Sequence, residues 1–241
     1  MSKLLSILCL LLWASCAEGS IAFDAFTSSG QITGDISFDH TPVGTPKGVL
    51  VYVIMTGASI SVTSVTYGGA ALTETADSPV SNVTGELGST HCYFLGSSIP
   101  SGMQTVAVDV LLGTEVSIAG VITLTADQDT SVVDTGFVLS DTTSATTTTL
   151  ALGGVSSFCA TGFWSGLNQV SNYTPLTGWT ERAENDYGNT GAGIYTYDTV
   201  STVDVTAGYT PSGSDDCAMH AIAVRENAAG GATATQVILV S

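Results

Sequence analysis

Three aspartates in one short stretch are the residues best suited to hold a metal ion. Asp127, Asp129 and Asp134 fall in and beside a predicted loop, and Ca²⁺ prefers several carboxylate and carbonyl oxygens. Their spacing does not follow the order of an EF-hand loop. Clustered aspartates are equally typical of a solvated turn. The stretch therefore predicts either a Ca²⁺ site or an ordinary acidic turn. Apart from this Ca²⁺, no cofactor is expected.

Aromatic side chains concentrated between residues 164 and 197 could bind a sugar. Trp164, Tyr173 and Trp179 lie among polar residues, and exposed rings beside polar groups are suited to stacking on a glycan. The alternative is ordinary packing in a core or interface, because aromatic side chains are commonly half buried. Exposure on one concave face would favour sugar binding, and burial would favour a structural role.

Residues with the spacing of a catalytic site are not found in the sequence. The histidines His40, His91 and His220 lack metal-ligand spacing. The segment 162–166, GFWSG, does not match the G-x-S-x-G pattern of a serine nucleophile. A glycosidase would need two acids about 5–10 Å apart across a cleft. We therefore expect a protein that is not an enzyme.

The N-terminus has the pattern of a secretory signal peptide. Lys3 precedes an apolar segment at 4–14, and Ser15-Cys16-Ala17 resembles a cleavage site between small residues. The apolar segment is too short to span a bilayer. We expect residues 1–17 to be a signal peptide and the protein to be secreted. A second interpretation makes Cys16 the lipid-modified residue of a lipoprotein.

Three cysteines remain after the predicted cleavage. Cys92, Cys159 and Cys217 each lie in an apolar, strand-like segment. They are interpreted as small buried core residues, and the alternative is one disulfide that leaves one thiol over. The pairing among them stays open at this point.

The charge balance excludes one large class of partners. The chain has 241 residues, with 4 Lys and Arg against 21 Asp and Glu, and a net charge of −17. So few cations cannot neutralise phosphates, which argues against a nucleic-acid partner. No apolar stretch is long enough for a membrane span.

The apolar pattern predicts an all-β protein. Apolar runs are short, rich in β-branched residues and bounded by Gly, Pro, Ser or Asp. The segment 48–55, GVLVYVIM, is apolar on both faces and is expected to be a central strand covered on both sides. Gly68 and Gly69 predict a tight hairpin turn. We expect one jelly-roll-like antiparallel β-sandwich over residues 18–228.

Several of these segments resemble one family. The hairpin at 62–72, VTSVTYGGAAL, is similar to one in secreted and virion-associated β-sandwich structural proteins of bacteria and phages. Further similar segments follow in the family's order, at 100–106, 119–134, 179–182 and 221–226. The resemblance implies a β-sandwich and an extracellular structural module, and it supplies no catalytic residues.

The C-terminus adds a flexible link and a last apolar run over residues 229–241. Val237, Ile238, Leu239 and Val240 form a run that is apolar on both faces, and such a run invites pairing with a sheet edge. It is predicted to dock as a strand, either within its own sandwich or on a neighbouring copy. The sequence thus predicts a secreted extracellular structural module that self-associates, forms a filament or is mounted on a larger particle. The alternative is an adhesion module whose partner is a glycan.

Overall fold

The computed structural model describes residues 20–57, 61–82, 87–111, 116–143, 146–166, 173–186, 190–211 and 215–229. These residues form β-strands joined by turns and loops, and none of them is helical. Accordingly, this part of the chain holds no helix of the length and hydrophobicity needed to cross a bilayer. The predicted signal peptide at 1–17 and the apolar run at 237–240 lie outside the described residues.

The strands divide into an N-terminal and a C-terminal half. The strands of the N-terminal half are β1 (Ala22–Thr33), β2 (Ile36–His40), β3 (Gly48–Thr56), β4 (Ser61–Tyr67), β5 (Ala70–Ala71), β6 (Thr73–Glu74), β7 (Val80–Asn82), β8 (Gly88–Leu95), β9 (Gln104–Leu111) and β10 (Val116–Thr125). The strands of the C-terminal half are β11 (Thr130–Thr143), β12 (Thr146–Leu150), β13 (Ser157–Ser165), β14 (Thr174–Pro175), β15 (Trp179–Asp186), β16 (Gly191–Ser201), β17 (Val205–Thr210) and β18 (Asp215–Glu226).

Each half contributes an inner and an outer sheet, and all strand pairs are antiparallel. The N-terminal inner sheet has the order β1-β10-β3-β8-β6, with β7 also paired to β8, and the outer sheet has the order β2-β9-β4-β5. The C-terminal inner sheet has the order β11-β18-β13-β16-β15, and its outer sheet has the order β12-β17-β14. The single jelly-roll sandwich expected from the sequence is not confirmed, because the described strands form four sheets.

Three hydrophobic cores separate the sheets into four layers. Each outer sheet packs on the inner sheet of its own half, around Val51 and Val106 in the N-terminal half and around Phe163 and Tyr209 in the C-terminal half. The third core lies between the two inner sheets and includes Tyr52 and Trp164. The inner sheets are therefore covered on both faces.

The two halves repeat one topology. In each inner sheet the first strand of the half lies at an edge and pairs with the last strand, which in turn pairs with the central strand, β3 or β13. In each outer sheet the second strand of the half pairs with the penultimate one, β9 or β17. This repeat lies in the order in which the strands pair, which the sequence pattern alone does not specify.

Several local predictions are confirmed. Strand β3 is buried along its length apart from Thr56, as the apolar run predicted. Gly68 and Gly69 have φ values of 56° and 80° in the turn between β4 and β5, which is the left-handed region that glycine adopts most easily. Val203, by contrast with the buried Val205 of β17, lies in a bend before that strand and is 71% exposed.

Candidate functional site

The aromatic side chains proposed for sugar binding are buried. Trp164, Tyr173 and Trp179 are 0%, 4% and 7% exposed. Trp164 belongs to the central core, whereas Tyr173 and Trp179 belong to the core between the C-terminal inner and outer sheets. The indole Nε1 of Trp179 donates a hydrogen bond to the carbonyl of Thr206 at 3.0 Å. The three rings thus form no common exposed platform for stacking.

The aspartates proposed for Ca²⁺ binding occupy two different settings. Asp127 and Asp129 are exposed in the turn between β10 and β11. Asp134 lies within β11, and its carboxylate accepts the backbone N–H of Ala151 at 2.6 Å. Among the described residues, no group of three or more His, Cys, Asp or Glu side chains is arranged to hold a metal ion. Calcium binding stays a prediction.

One partly buried set of side chains, Ser89, His91 and Glu74, has the order hydroxyl, imidazole and carboxylate that is found in acyl-transfer enzymes. His91 Nδ1 donates to Glu74 Oε1 at 3.0 Å, and His91 Nε2 lies 3.3 Å from Ser89 Oγ. This hydrogen bond lowers the pKa of Glu74, with a further contribution from Ser78. However, Ser89 is only 3% exposed, so its hydroxyl is not presented to a substrate. We interpret the set as a partly buried polar cluster that joins β6 to β8.

This cluster is not evident in the sequence, because Glu74 lies on a different strand from Ser89 and His91. His91 and Cys92 point to opposite faces, as successive residues of a strand do, since Cys92 belongs to the central core and the His91 ring stacks with Tyr93. The residue Tyr93 belongs to the core on the other face of the sheet.

Buried polar contacts also join the two halves across the central core. His220 Nε2 lies 3.0 Å from the carbonyl oxygen of Ala76 and 3.2 Å from Thr75 Oγ1. Thr90 Oγ1 donates to the carbonyl of Ala218 at 2.7 Å. The His220 side chain is fully buried, and burial lowers its pKa. These contacts fix the register of one inner sheet on the other.

A cleft at the C-terminal outer sheet offers little reactive chemistry. It is lined by Leu176, Thr177, Tyr197, Ser201, Val203, Asp204, Val205 and Thr206. Its one charged lining side chain is Asp204, whose carboxylate accepts the backbone N–H of Leu152 at 3.0 Å. The cleft therefore presents hydroxyls and apolar surface.

The edge of β11 is the surface best suited to bind another chain. Within the described residues, β11 pairs with β18 on one side and with no strand on the other; we call this second side the free edge. Phe137 and Leu139 are 54% and 49% exposed on β11. An edge strand presents unpaired backbone N–H and C=O groups to a further strand. The free edge thus combines unpaired backbone with exposed apolar side chains.

The C-terminus leaves the described structure close to the start of β11. Thr130 is paired with Glu226, and the N–H of Asn227 donates to the carbonyl of Asp129 at 2.8 Å. Ala229, the last described residue, is exposed. The apolar run at 237–240 therefore follows a short link from this point.

Comparison with known proteins supplies no functional assignment. No protein-family model and no curated protein matches this chain.

Proposed function

We propose that this chain is a secreted structural module of the kind it resembles, a virion-associated or extracellular β-sandwich protein, and that it assembles through its C-terminal strand. The observation that carries the proposal is the free edge of β11, because an exposed edge with apolar side chains is a surface to which a strand can add. The C-terminal run is apolar on both faces and is the matching kind of segment.

The burial of the aromatic side chains supports a structural role over sugar binding. Trp164 and Trp179 are both packed in cores on opposite faces of one sheet, where they stabilise the fold. A glycan-binding surface would need such rings at the surface. The protein's net negative charge also suits a salty extracellular setting, because salt weakens the repulsion between like-charged copies beyond a distance of about 8 Å.

The first experiment compares the exported full-length chain with a chain that lacks residues 229–241. Full-length protein is expected to form oligomers or filaments, seen by analytical ultracentrifugation and negative-stain microscopy, and the truncated protein is expected to stay monomeric. The matched pair is Leu239→Asp, which is expected to prevent assembly, and Ala229→Asp, which places the same charge in the link and is expected to leave assembly unchanged. Equal assembly of the full-length and truncated chains contradicts the proposal.

Export is tested on the same material. The intact mass of the secreted protein is expected to correspond to a chain that begins at Glu18. A retained Met1 contradicts secretion through this signal, and a lipid adduct on Cys16 supports the lipoprotein interpretation in its place.

A further inference from the structure

We propose that the acceptor for the C-terminal strand is the free edge of β11 in a second copy of this chain, and that the added strand runs antiparallel to β11 over Thr135–Ser140. This inference rests on the proposed function, and it names the partner and the surface that the assembly uses.

The edges of the two inner sheets differ in how well they could accept a strand. The edge strand β15 carries the charged residues Glu181, Arg182 and Glu184, and charges on an edge strand oppose pairing. The edge strand β1 has register shifts at Phe23/Ala25 and Ser28/Gln31, which interrupt a regular ladder.

β11 also has register shifts, at Val132/Asp134 and Ser140/Thr143, but its pairing with β18 is regular from Asp134 to Ser140, a longer uninterrupted stretch than β1 offers. The residues at 135–140, TGFVLS, carry no charge. Of these three edges, β11 is the one that combines a regular ladder with an uncharged stretch.

The side chains of β11 match a segment that is apolar on both faces. Phe137 and Leu139 lie on one face and are about half exposed, while Val138, on the other face, packs partly against the C-terminal core. Alternate residues of an added strand point to alternate faces. Val237 and Leu239 would therefore extend one apolar surface, and Ile238 and Val240 the other.

The place where the chain leaves β18 favours addition to another copy. β18 is antiparallel to β11 and ends beside Thr130, the first residue of β11. A strand that began at this point and lay along the free edge of the same copy would run in the direction of β11, so the two strands would be parallel. For an antiparallel arrangement that brings Gln236 opposite Leu139, the chain would first have to run along β11 from Asp129 to Leu139, a distance of about 33 Å, and also cross to the free edge. The stretch from Asn227 to Gln236 spans at most about 32 Å even when fully extended. A second copy is not bound by this limit, and antiparallel pairing is the more stable arrangement.

Charge also favours this segment as the one that crosses between copies. The whole chain has a net charge of −17, whereas residues 227–241 contain no charged side chain. The segment can therefore approach an acidic neighbour without bringing like charges to the contact. Because repulsion between the bodies remains, assembly is expected to strengthen as salt concentration rises.

The decisive experiment separates the donor from the acceptor. Deletion of residues 229–241 gives a chain with an acceptor edge and no donor. The double variant Phe137→Glu/Leu139→Glu keeps the donor and places charge on the acceptor edge. Both side chains are half exposed, so the fold is expected to persist, and circular dichroism and melting temperature verify this.

Each chain alone is expected to be monomeric, and an equimolar mixture is expected to form a 1:1 dimer of twice the monomer mass without longer assemblies. The matched control is Val43→Glu/Val203→Glu, which changes two side chains that are 87% and 71% exposed elsewhere. This control is expected to assemble like the unaltered chain.

Cross-linking then tests direction. In an antiparallel ladder, a cysteine at Leu139 of one copy is expected to cross-link with a cysteine at Gln236 of the other, and a cysteine at Thr135 with one at Val240. If the cysteine at Leu139 instead cross-links with one at Val240, and the cysteine at Thr135 with one at Gln236, the added strand is parallel and the inference is overturned. Cross-links that form only within one copy also overturn it.

The outcomes also distinguish the inference from the proposed function. If truncation prevents assembly and the Phe137→Glu/Leu139→Glu chain still assembles, the acceptor is another surface and the proposed function stands. If that chain is monomeric and fails to pair with the truncated chain, the β11 acceptor is wrong. If the full-length chain is monomeric at every salt concentration, or if the truncated chain assembles, both proposals are wrong.

Discussion

Tyr52 of β3 lies directly against the backbone of Gly162 on β13, in the centre of the interface between the two inner sheets. A Cβ at Gly162 would overlap the Tyr52 ring. The Tyr52 hydroxyl passes this point and donates to the carbonyl of Ala160 at 3.2 Å. Similar fits bring Trp164 onto Gly88 and Ile194 onto Gly120. Large side chains of one half thus lie where glycine leaves room in the other.

Substitution of Gly162 is therefore expected to destabilise the whole protein. Gly162→Val places a branched side chain where the Tyr52 ring lies, and overpacking of a core costs typically about 1–3 kcal/mol. The free energy of unfolding, measured in urea, is expected to fall by at least this amount. Thr147→Val, at an exposed position of β12, is the control and is expected to change it little. Equal stability of the two variants contradicts the tight fit at Gly162.

Stability is expected to fall as the pH is lowered below about 6.5, because of His220. Burial lowers the pKa of this imidazole, and the Ala76 carbonyl, Asp77 and Glu74 offset the effect in part. The folded protein therefore holds His220 neutral at a pH where the unfolded chain, with a pKa near 6.5, takes up a proton. Stability is fully present above pH 6.5 and is lost below it, by at most about 1.4 kcal/mol per pH unit for one group.

Urea unfolding at several pH values between 5 and 8 tests this dependence. His220→Asn is expected to reduce the slope below pH 6.5. The pKa of His40 is also lowered by burial, with Asp24 opposing, so His40→Asn is the comparison and the double variant is expected to be the flattest. An unchanged slope in His220→Asn shows that His220 is not a source of the dependence.

The contact between Glu74 and His91 is expected to act at a lower pH. The hydrogen bond from His91 lowers the pKa of Glu74, so its contribution to stability is present above the ordinary carboxyl pKa of 4.5 and is lost as pH falls through the lowered value. Because the Glu74 side chain is 34% exposed, we expect Glu74→Gln to cost about 1 kcal/mol at pH 7. The difference from the unaltered protein is expected to shrink near pH 3. A difference that is the same at both pH values contradicts this role of the charge.

The sequence contained a sign of the four-layer arrangement. Strand β3 is apolar on both faces, and the later segments at 157–163 and 217–224 consist of apolar and small residues on both faces apart from His220. A strand in a two-layer sandwich has one face towards the core and the other towards solvent. Three such strands therefore indicate sheets covered on both sides, which one jelly-roll sandwich does not provide.

The buried polar clusters could not be predicted in the same way. Glu74 and His91 meet because β6 and β8 are neighbours, and His220 reaches Ala76 because the two inner sheets face each other. Such contacts depend on sheet order and on layer packing, and local patterns of residues specify neither. The hairpin at Gly68–Gly69 was predictable because its backbone conformation is set by the two residues themselves.

The three cysteines that follow the predicted signal peptide are expected to be unreactive in the native protein. Cys92, Cys159 and Cys217 are buried thiols that form no disulfide with one another, and burial raises the pKa of Cys92 and Cys159 to about 12. Thiolate is the reactive form of cysteine, so an exposed-thiol reagent is expected to label none of them at pH 8. Since Cys92 lies in the central core and the other two lie in the C-terminal core, full unfolding in denaturant of a chain that lacks residues 1–17 is expected to release three reactive thiols. Release of one thiol only would show that two of the cysteines form a disulfide, and labelling of the native protein would show that a core is open to solvent.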